Sequence, residues 1–241
     1  MNAAEDRPGR AAPRGTLGAF AAAARQIADR SMRRLLLASL ALAVACFAAL
    51  LAGLWFALPR LEALVAAAAP AWIAGIVGIV AAAGAVLLSV VLFPAAVTAI
   101  QSAFFVEPAC DAVERRHYPG LPPPRAAGVG EQARIAAAHL GVAVGLNLLA
   151  LPLYFVPVLN VATFLALNGF LLAREHVLAV AIRRMDRPAA IALWRARRLR
   201  FWAAGAGMAL IMAIPLVNLA GALFCAATMT HMVAQARRDP S

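Results

Sequence analysis

The septet Val156-Pro157-Val158-Leu159-Asn160-Val161-Ala162 returns 58 positions later as Ile214-Pro215-Leu216-Val217-Asn218-Leu219-Ala220. Each copy interrupts an apolar run. The first divides the uncharged stretch 135–173 into legs of about 16 and 13 residues, and the second divides 201–232 into legs of about 14. Each leg then spans roughly 20 to 25 Å as helix, short of the roughly 30 Å hydrocarbon core of a bilayer. Arginines flank both runs at both ends (Arg134 and Arg174; Arg200 and Arg237), so each hairpin enters and leaves on one side. The reading that reconciles these facts is two re-entrant hairpins tipped by Pro157, Asn160, Pro215 and Asn218. Proline marks the break in each, and the asparagine amide offers a donor and an acceptor to backbone groups that lipid cannot satisfy. Four short, tilted full spans joined by tight turns remain the alternative. Outside the septet the two halves are only weakly similar. Such repeats often build a substrate path where broken helices meet, but they also serve packing alone.

Composition sets the class: 64% of the 241 residues are hydrophobic and 14% charged, outside the range of ordinary soluble domains. All 22 basic residues are arginine, and the net charge is +11, so the charge is concentrated in a few loops expected to face the cytoplasm. Cys46, Cys110 and Cys225 show no metal-ligand spacing and read as packing residues. Residues 1–16 read as a disordered cytoplasmic tail, polar as far as Arg14, and 17–27 as a short helix on the membrane surface, with Arg25, Arg30 and Arg33 on or near its polar side. The apolar run 35–58 is long enough for a first span. The following loop, Pro59 to Pro70, carries only Arg60 and Glu62, against seven arginines in the first 34 residues. That asymmetry places the N-terminus inside and this loop outside. The next uncharged stretch is too long for one span, so a kink is expected at Pro94 with the second span at 71–93. Pro108 then opens a short charged helix, and 119–130 is a loop. The fold class is therefore an all-α integral membrane protein: two long transmembrane helices and two Pro/Asn-tipped hairpins (about 135–173 and 201–232). They form one membrane domain over 17–238, with both termini cytoplasmic.

The order of these features, with the segment Phe104-Phe105-Val106-Glu107-Pro108-Ala109-Cys110-Asp111-Ala112-Val113-Glu114-Arg115-Arg116, resembles the CysZ-type sulfate permeases, grouped with the etoposide-induced-protein membrane proteins. The resemblance runs from about Leu17 to Arg238. It implies two fully crossing helices, two partly penetrating hairpins, a homo-oligomer, and a bacterial inner-membrane protein that carries sulfate or a related oxyanion. It also implies an anion site at a Gly-Leu-Arg sequence followed by a further arginine. Here Ser31 stands for the glycine and Met32 for the leucine, while Arg33 and Arg34 are kept.

Physical chemistry supports the same place. A helix beginning at Ser31 has free N–H groups and a positive dipole end, and guanidinium forks suit oxyanions. Two arginines there are unfavourable for the helix alone, a conflict that an anion relieves. The competing reading is that Arg33 and Arg34 anchor the helix end among lipid phosphates. Glu114 and Arg115, with Asp111 one turn before Arg115, fit an ion pair on a solvated face or a role in gating or coupling. His139 and Asn147 lie in the first hairpin's entering leg, where polar groups face a bundle interior or a helix contact. Gly141-xxx-Gly145 matches a close-packing motif that chance also produces in a chain so rich in Ala and Gly. Glu175-His176 lacks an HExxH context, and no catalytic triad, Walker loop or metal spacing is present. An enzyme, a cofactor, a metal site and a nucleic-acid partner are therefore not expected. The alternative to a permease is a non-transporting scaffold or lipid-organising protein.

Overall fold

The computed structural model describes residues 13–68, 70–125 and 128–238. In order it comprises α1 (Gly15–Ile27), α2 (Arg30–Ala68), α3 (Ala71–Ile100), a π-helical turn (Gln101–Phe105), α4 (Val106–His117) and α5 (Val129–Ala150). A 3-10 turn (Leu151–Phe155), α6 (Pro157–Ala181), α7 (Arg187–Ala196), α8 (Arg198–Met212), α9 (Pro215–Asn218) and α10 (Gly221–Arg238) follow. Among the described residues there is no strand, and the chain is an all-α membrane protein. The expected N-terminal tail lies outside the described residues as far as residue 12.

One expected break is not where its proline stands. The first long helix does not end before Pro59 but continues through it to Ala68. Proline removes one N–H and so one helical bond. The helical bonds on either side of it are kept, so the helix carries on. The third helix, α3, is continuous through position 94 to Ile100, and a π turn follows it. Such a turn is a recognised cause of a kink and tends to lie at functional positions.

The two septets adopt one geometry. Val156 (φ −101°, ψ 112°) and Ile214 (φ −83°, ψ 114°) are extended, and Pro157 and Pro215 open the next helices, α6 and α9. Proline suits this position because its φ is already helical and its missing N–H would be unpaired there anyway. The hairpins themselves differ. In the first, residues 137–155 (19 residues) and 157–181 (25 residues) are both long and apolar enough to cross a bilayer. Both legs exceed the lengths read from sequence: the first takes in the 3-10 turn Leu151–Phe155, and α6 continues through Arg174, Glu175 and His176. In the second, α8 has only 15 residues, about 22 Å.

Packing explains the asymmetry. The α6 and α8 backbones touch at Gly169 and Gly205, where a Cβ on Gly205 would lie 1.9 Å from the Gly169 carbonyl oxygen and 2.7 Å from the Ala173 Cβ. The Trp202 indole N–H donates to the Ala166 carbonyl across the same seam (3.0 Å). Along nearly its whole length α10 is buried, and with α1, α4, α6 and α8 it encloses a core that includes Met32, Val113, Val177, Phe201, Met208 and Met229. By contrast α2, α3 and α5 turn Leu37, Leu50, Trp55, Ile79, Leu140 and Leu148 outward. Apolar exposure on that scale has a physical place only in lipid.

Candidate functional site

The start of α2 is formed by a tight reversal from α1. Asp29 N–H donates to the Gln26 carbonyl (2.9 Å), and Arg33 N–H donates to the Asp29 carbonyl (2.8 Å). The helix thus begins one residue earlier than read from sequence, and the first-turn amides before Arg33 lack intrahelical partners. Met32 is fully buried in the core and fixes the helix end, while Ser31, Arg33 and Arg34 are exposed. The structure adds a residue that the sequence reading left out of the site: Arg30, also exposed. Positions 30, 33 and 34 are related as i, i+3 and i+4, so the three guanidiniums share one face. That spacing was visible in the sequence. The neighbouring carboxylate, Asp29, is held by Arg116 of α4 at 2.6 Å. Among the described residues no ion pair involves Arg30, Arg33 or Arg34.

A second charged centre joins α4 to the end of α6. Arg184 grips both oxygens of Glu114, Nη2 to Oε2 at 2.5 Å and Nε to Oε1 at 3.3 Å. Arg183 contacts Asp111, Glu114 Oε2 (3.2 Å) and Glu107 (3.4 Å). The solvated Glu114–Arg115 face expected from sequence is therefore corrected: Glu114 is 6% exposed and Arg183 4%, and Asp111 pairs with Arg183, while Arg115 is exposed. Helical spacing could not show partners that lie about 70 positions away, in the turn after α6. Burial pulls the Arg183 guanidinium towards deprotonation, but Cys110, Asp111 and Glu114 outweigh it and its pKa is raised. A cleft of about 350 Å³ opens beside the cluster, lined by Asp111, Glu114, Tyr118, Arg184 and the Pro122–Pro124 wall. Burial pushes the Tyr118 phenol up to about 12, against a smaller downward pull from Arg238. With three carboxylates around them, Arg183 and Arg184 are committed to structure, which leaves the α2 face as the candidate for an incoming anion.

A third polar centre lies deeper. Gln101, in the π turn, is fully buried. Its Nε2 donates to Ser39 Oγ of α2 (3.1 Å) and to the Leu219 carbonyl at the second tip (2.5 Å). Ser39 in turn donates to the Leu36 carbonyl (2.8 Å). The amide serving that tip is thus Gln101 rather than Asn218. Among the described residues neither Asn160 nor Asn218 makes a side-chain hydrogen bond, and Asn160 is exposed.

The remaining candidates are dispersed. His139 Nε2 of α5 meets Glu175 Oε2 of α6 at 3.6 Å, a pairing across the hairpin that the separate readings of the two residues did not make. Asn147 donates to the Ala143 carbonyl one turn back (2.8 Å). Beside Gly141 and Gly145 there is open space. Cys110 and Cys225 are buried and Cys46 is exposed on α2.

The sequence profile of the family described as Sulfate transporter CysZ/Etoposide-induced protein 2.4 matches residues 19–221. No curated protein matches the chain.

Proposed function

The chain belongs to the sulfate transporter CysZ/etoposide-induced protein 2.4 family, and from that premise we propose that it is a permease for sulfate or a related oxyanion in a bacterial inner membrane. The observation that carries the reading is the face formed by Arg30, Arg33 and Arg34 at the start of α2, exposed and, among the described residues, without a carboxylate partner. A tetrahedral dianion meets there several guanidinium donors and the first-turn amides, each contact a charge-assisted hydrogen bond. Arg116 supports the site indirectly by engaging Asp29, which otherwise competes for the same arginines.

In this reading Ser31 and Met32 set the helix start, and Glu114 holds the end of α6 against α4 as a coupling element, with Arg115 at its solvent side. The hairpins tipped by Pro157, Asn160, Pro215 and Asn218 enter from the cytoplasmic side, both termini are cytoplasmic, and the working unit is a homo-oligomer. Radiolabelled sulfate uptake into vesicles reconstituted with the purified protein tests the proposal. Flux above protein-free vesicles, competed by unlabelled sulfate, is the expected result. Neither flux nor sulfate binding leaves the scaffold or lipid-organising role instead.

A further inference from the structure

A second cleft, of about 220 Å³, runs along one side of α1 from Pro13 to Asp29 and meets the C-terminal end of α4, with Arg25, Gln26, Arg116 and His117 in its lining. None of the residues 31–34 belongs to it. Arg25 and Arg116 stand in the last turns of their helices, where the helix dipole already favours a cation, so the arginines alone need no ligand. Gln26 does. It is 2% exposed, and among the described residues neither Nε2 nor Oε1 has a hydrogen-bond partner. A buried primary amide left with both its donor and its acceptor unpaired is costly.

The chemistry of the cleft narrows what satisfies it. Arg116 is paired with Asp29 at 2.6 Å, which leaves the charge of Arg25 unbalanced, matched to a monoanion. The Nε2 of Gln26 and the guanidiniums call for acceptor oxygens, whereas its Oε1 calls for a hydroxyl donor. Sulfate offers acceptors only and carries two charges. A phosphodiester with a neighbouring hydroxyl offers both and carries one. The volume falls below the roughly 300 to 1,000 Å³ of sites that enclose a drug-sized molecule, which suits a headgroup and not a whole lipid. Leu17, on the first turn of α1, is 85% exposed, so the helix that carries the cleft also presents an apolar contact of the kind that surface helices lay into lipid.

We propose that the cleft between α1 and α4 binds a hydroxyl-bearing phosphodiester, with Gln26 as the group that selects for the hydroxyl and Arg25 and Arg116 as the groups that hold the phosphate. The source is either a glycerol-headed phospholipid or a soluble glycerol phosphodiester, and one experiment separates them. Full-length protein in a neutral detergent is titrated with radiolabelled short-chain phosphatidylglycerol, then competed with unlabelled lipid, short-chain phosphatidylcholine, glycerophosphoglycerol and sulfate. The expected result is saturable binding displaced by phosphatidylglycerol and not by phosphatidylcholine or sulfate, weakened about tenfold or more in Gln26→Leu and in Arg25→Gln. Displacement by glycerophosphoglycerol as effective as by the lipid assigns the ligand to the soluble diester, and weaker displacement assigns it to the membrane. Equal displacement by phosphatidylcholine or by sulfate, or parental affinity in both variants, overturns the proposal. Arg25 is exposed, so Arg25→Gln folds and decides alone if Gln26→Leu does not. Sulfate flux through the α2 face should persist in both variants, which keeps this test separate from that of transport.

Discussion

Gln101 Nε2 donates to the Leu219 carbonyl at 2.5 Å, tying the π turn after α3 to the tip of the second hairpin from a position 118 residues earlier in the chain. Removing the amide takes this donor from the carbonyl, at a cost of about 1 to 3 kcal/mol for a buried unpaired group, while Ser39 keeps its bond to the Leu36 carbonyl. Gln101→Leu should therefore lower the melting temperature in detergent clearly more than Asn218→Leu, whose side chain makes no such bond. The reverse order would return the tip's amide chemistry to Asn218.

The Glu114 cluster gives a sharper stability test. Glu114→Gln leaves two buried guanidiniums short of their shared carboxylate, and breaking a buried pair from one side costs about 3 to 5 kcal/mol. Glu107, whose side chain is 67% exposed, contributes in the range of surface pairs, about 0 to 1 kcal/mol. Glu114→Gln should thus lose most of its folded, monodisperse fraction on size-exclusion chromatography while Glu107→Gln resembles the parent. Comparable behaviour of the two would show that the cluster is solvated after all.

Close helix packing separates what the sequence displays from what it hides. Gly141 and Gly145 stand four apart on one helix, yet neither has a neighbour within 4 Å of a built Cβ. Gly169 and Gly205 stand on different helices and meet where a methyl group cannot fit. Gly205→Ala should push α6 and α8 apart and destabilise by about 1 to 3 kcal/mol or more. Gly141→Ala and Gly145→Ala should be neutral, or stabilising by up to about 1 kcal/mol through helix propensity. Thermal melting of the three single variants checks the order.

The same contrast runs through the whole chain. Apolar run length and arginine placement are one-dimensional signals, and they sufficed for α1, the long apolar helices, the short charged helix and the two hairpins. Pro59 misled because a proline removes only one helical bond, which a helix of 39 residues tolerates. At the site, Arg33 and Arg34 were legible from their place at a helix start, and Arg30 was legible from its i, i+3, i+4 spacing. The pairing of Glu114 with Arg183 and Arg184, and of Gln101 with Leu219, depends on which helices meet, a property that no local spacing contains.

Topology follows from the arginine distribution and is checked by single cysteines. Residues placed as Gly128→Cys and Arg187→Cys should resist impermeant thiol reagents in intact cells, whereas Ala67→Cys, near the end of α2, should react. Leu159→Cys and Val217→Cys, at the two tips, should react poorly from either side if the hairpins turn within the membrane. Ready labelling of both tips from outside would instead mean four full crossings.

The transport reading stands or falls on the α2 face. One charge-assisted hydrogen bond is worth roughly 1.5 to 3 kcal/mol, so each lost guanidinium should weaken sulfate binding by about one to two decades. Arg33→Gln and Arg34→Gln should reduce binding and flux in reconstituted vesicles while leaving expression and oligomeric state unchanged, and Arg30→Gln should behave as they do because it shares their face. Lysine substitutions divide binding from anchoring: lysine keeps the charge that an interfacial anchor needs but loses the bidentate fork. Partial loss with lysine supports the oxyanion site, and full flux with lysine supports anchoring among lipid phosphates. If all three glutamine variants carry sulfate at the parental rate, the anion passes elsewhere and the α2 face holds the helix end at the interface.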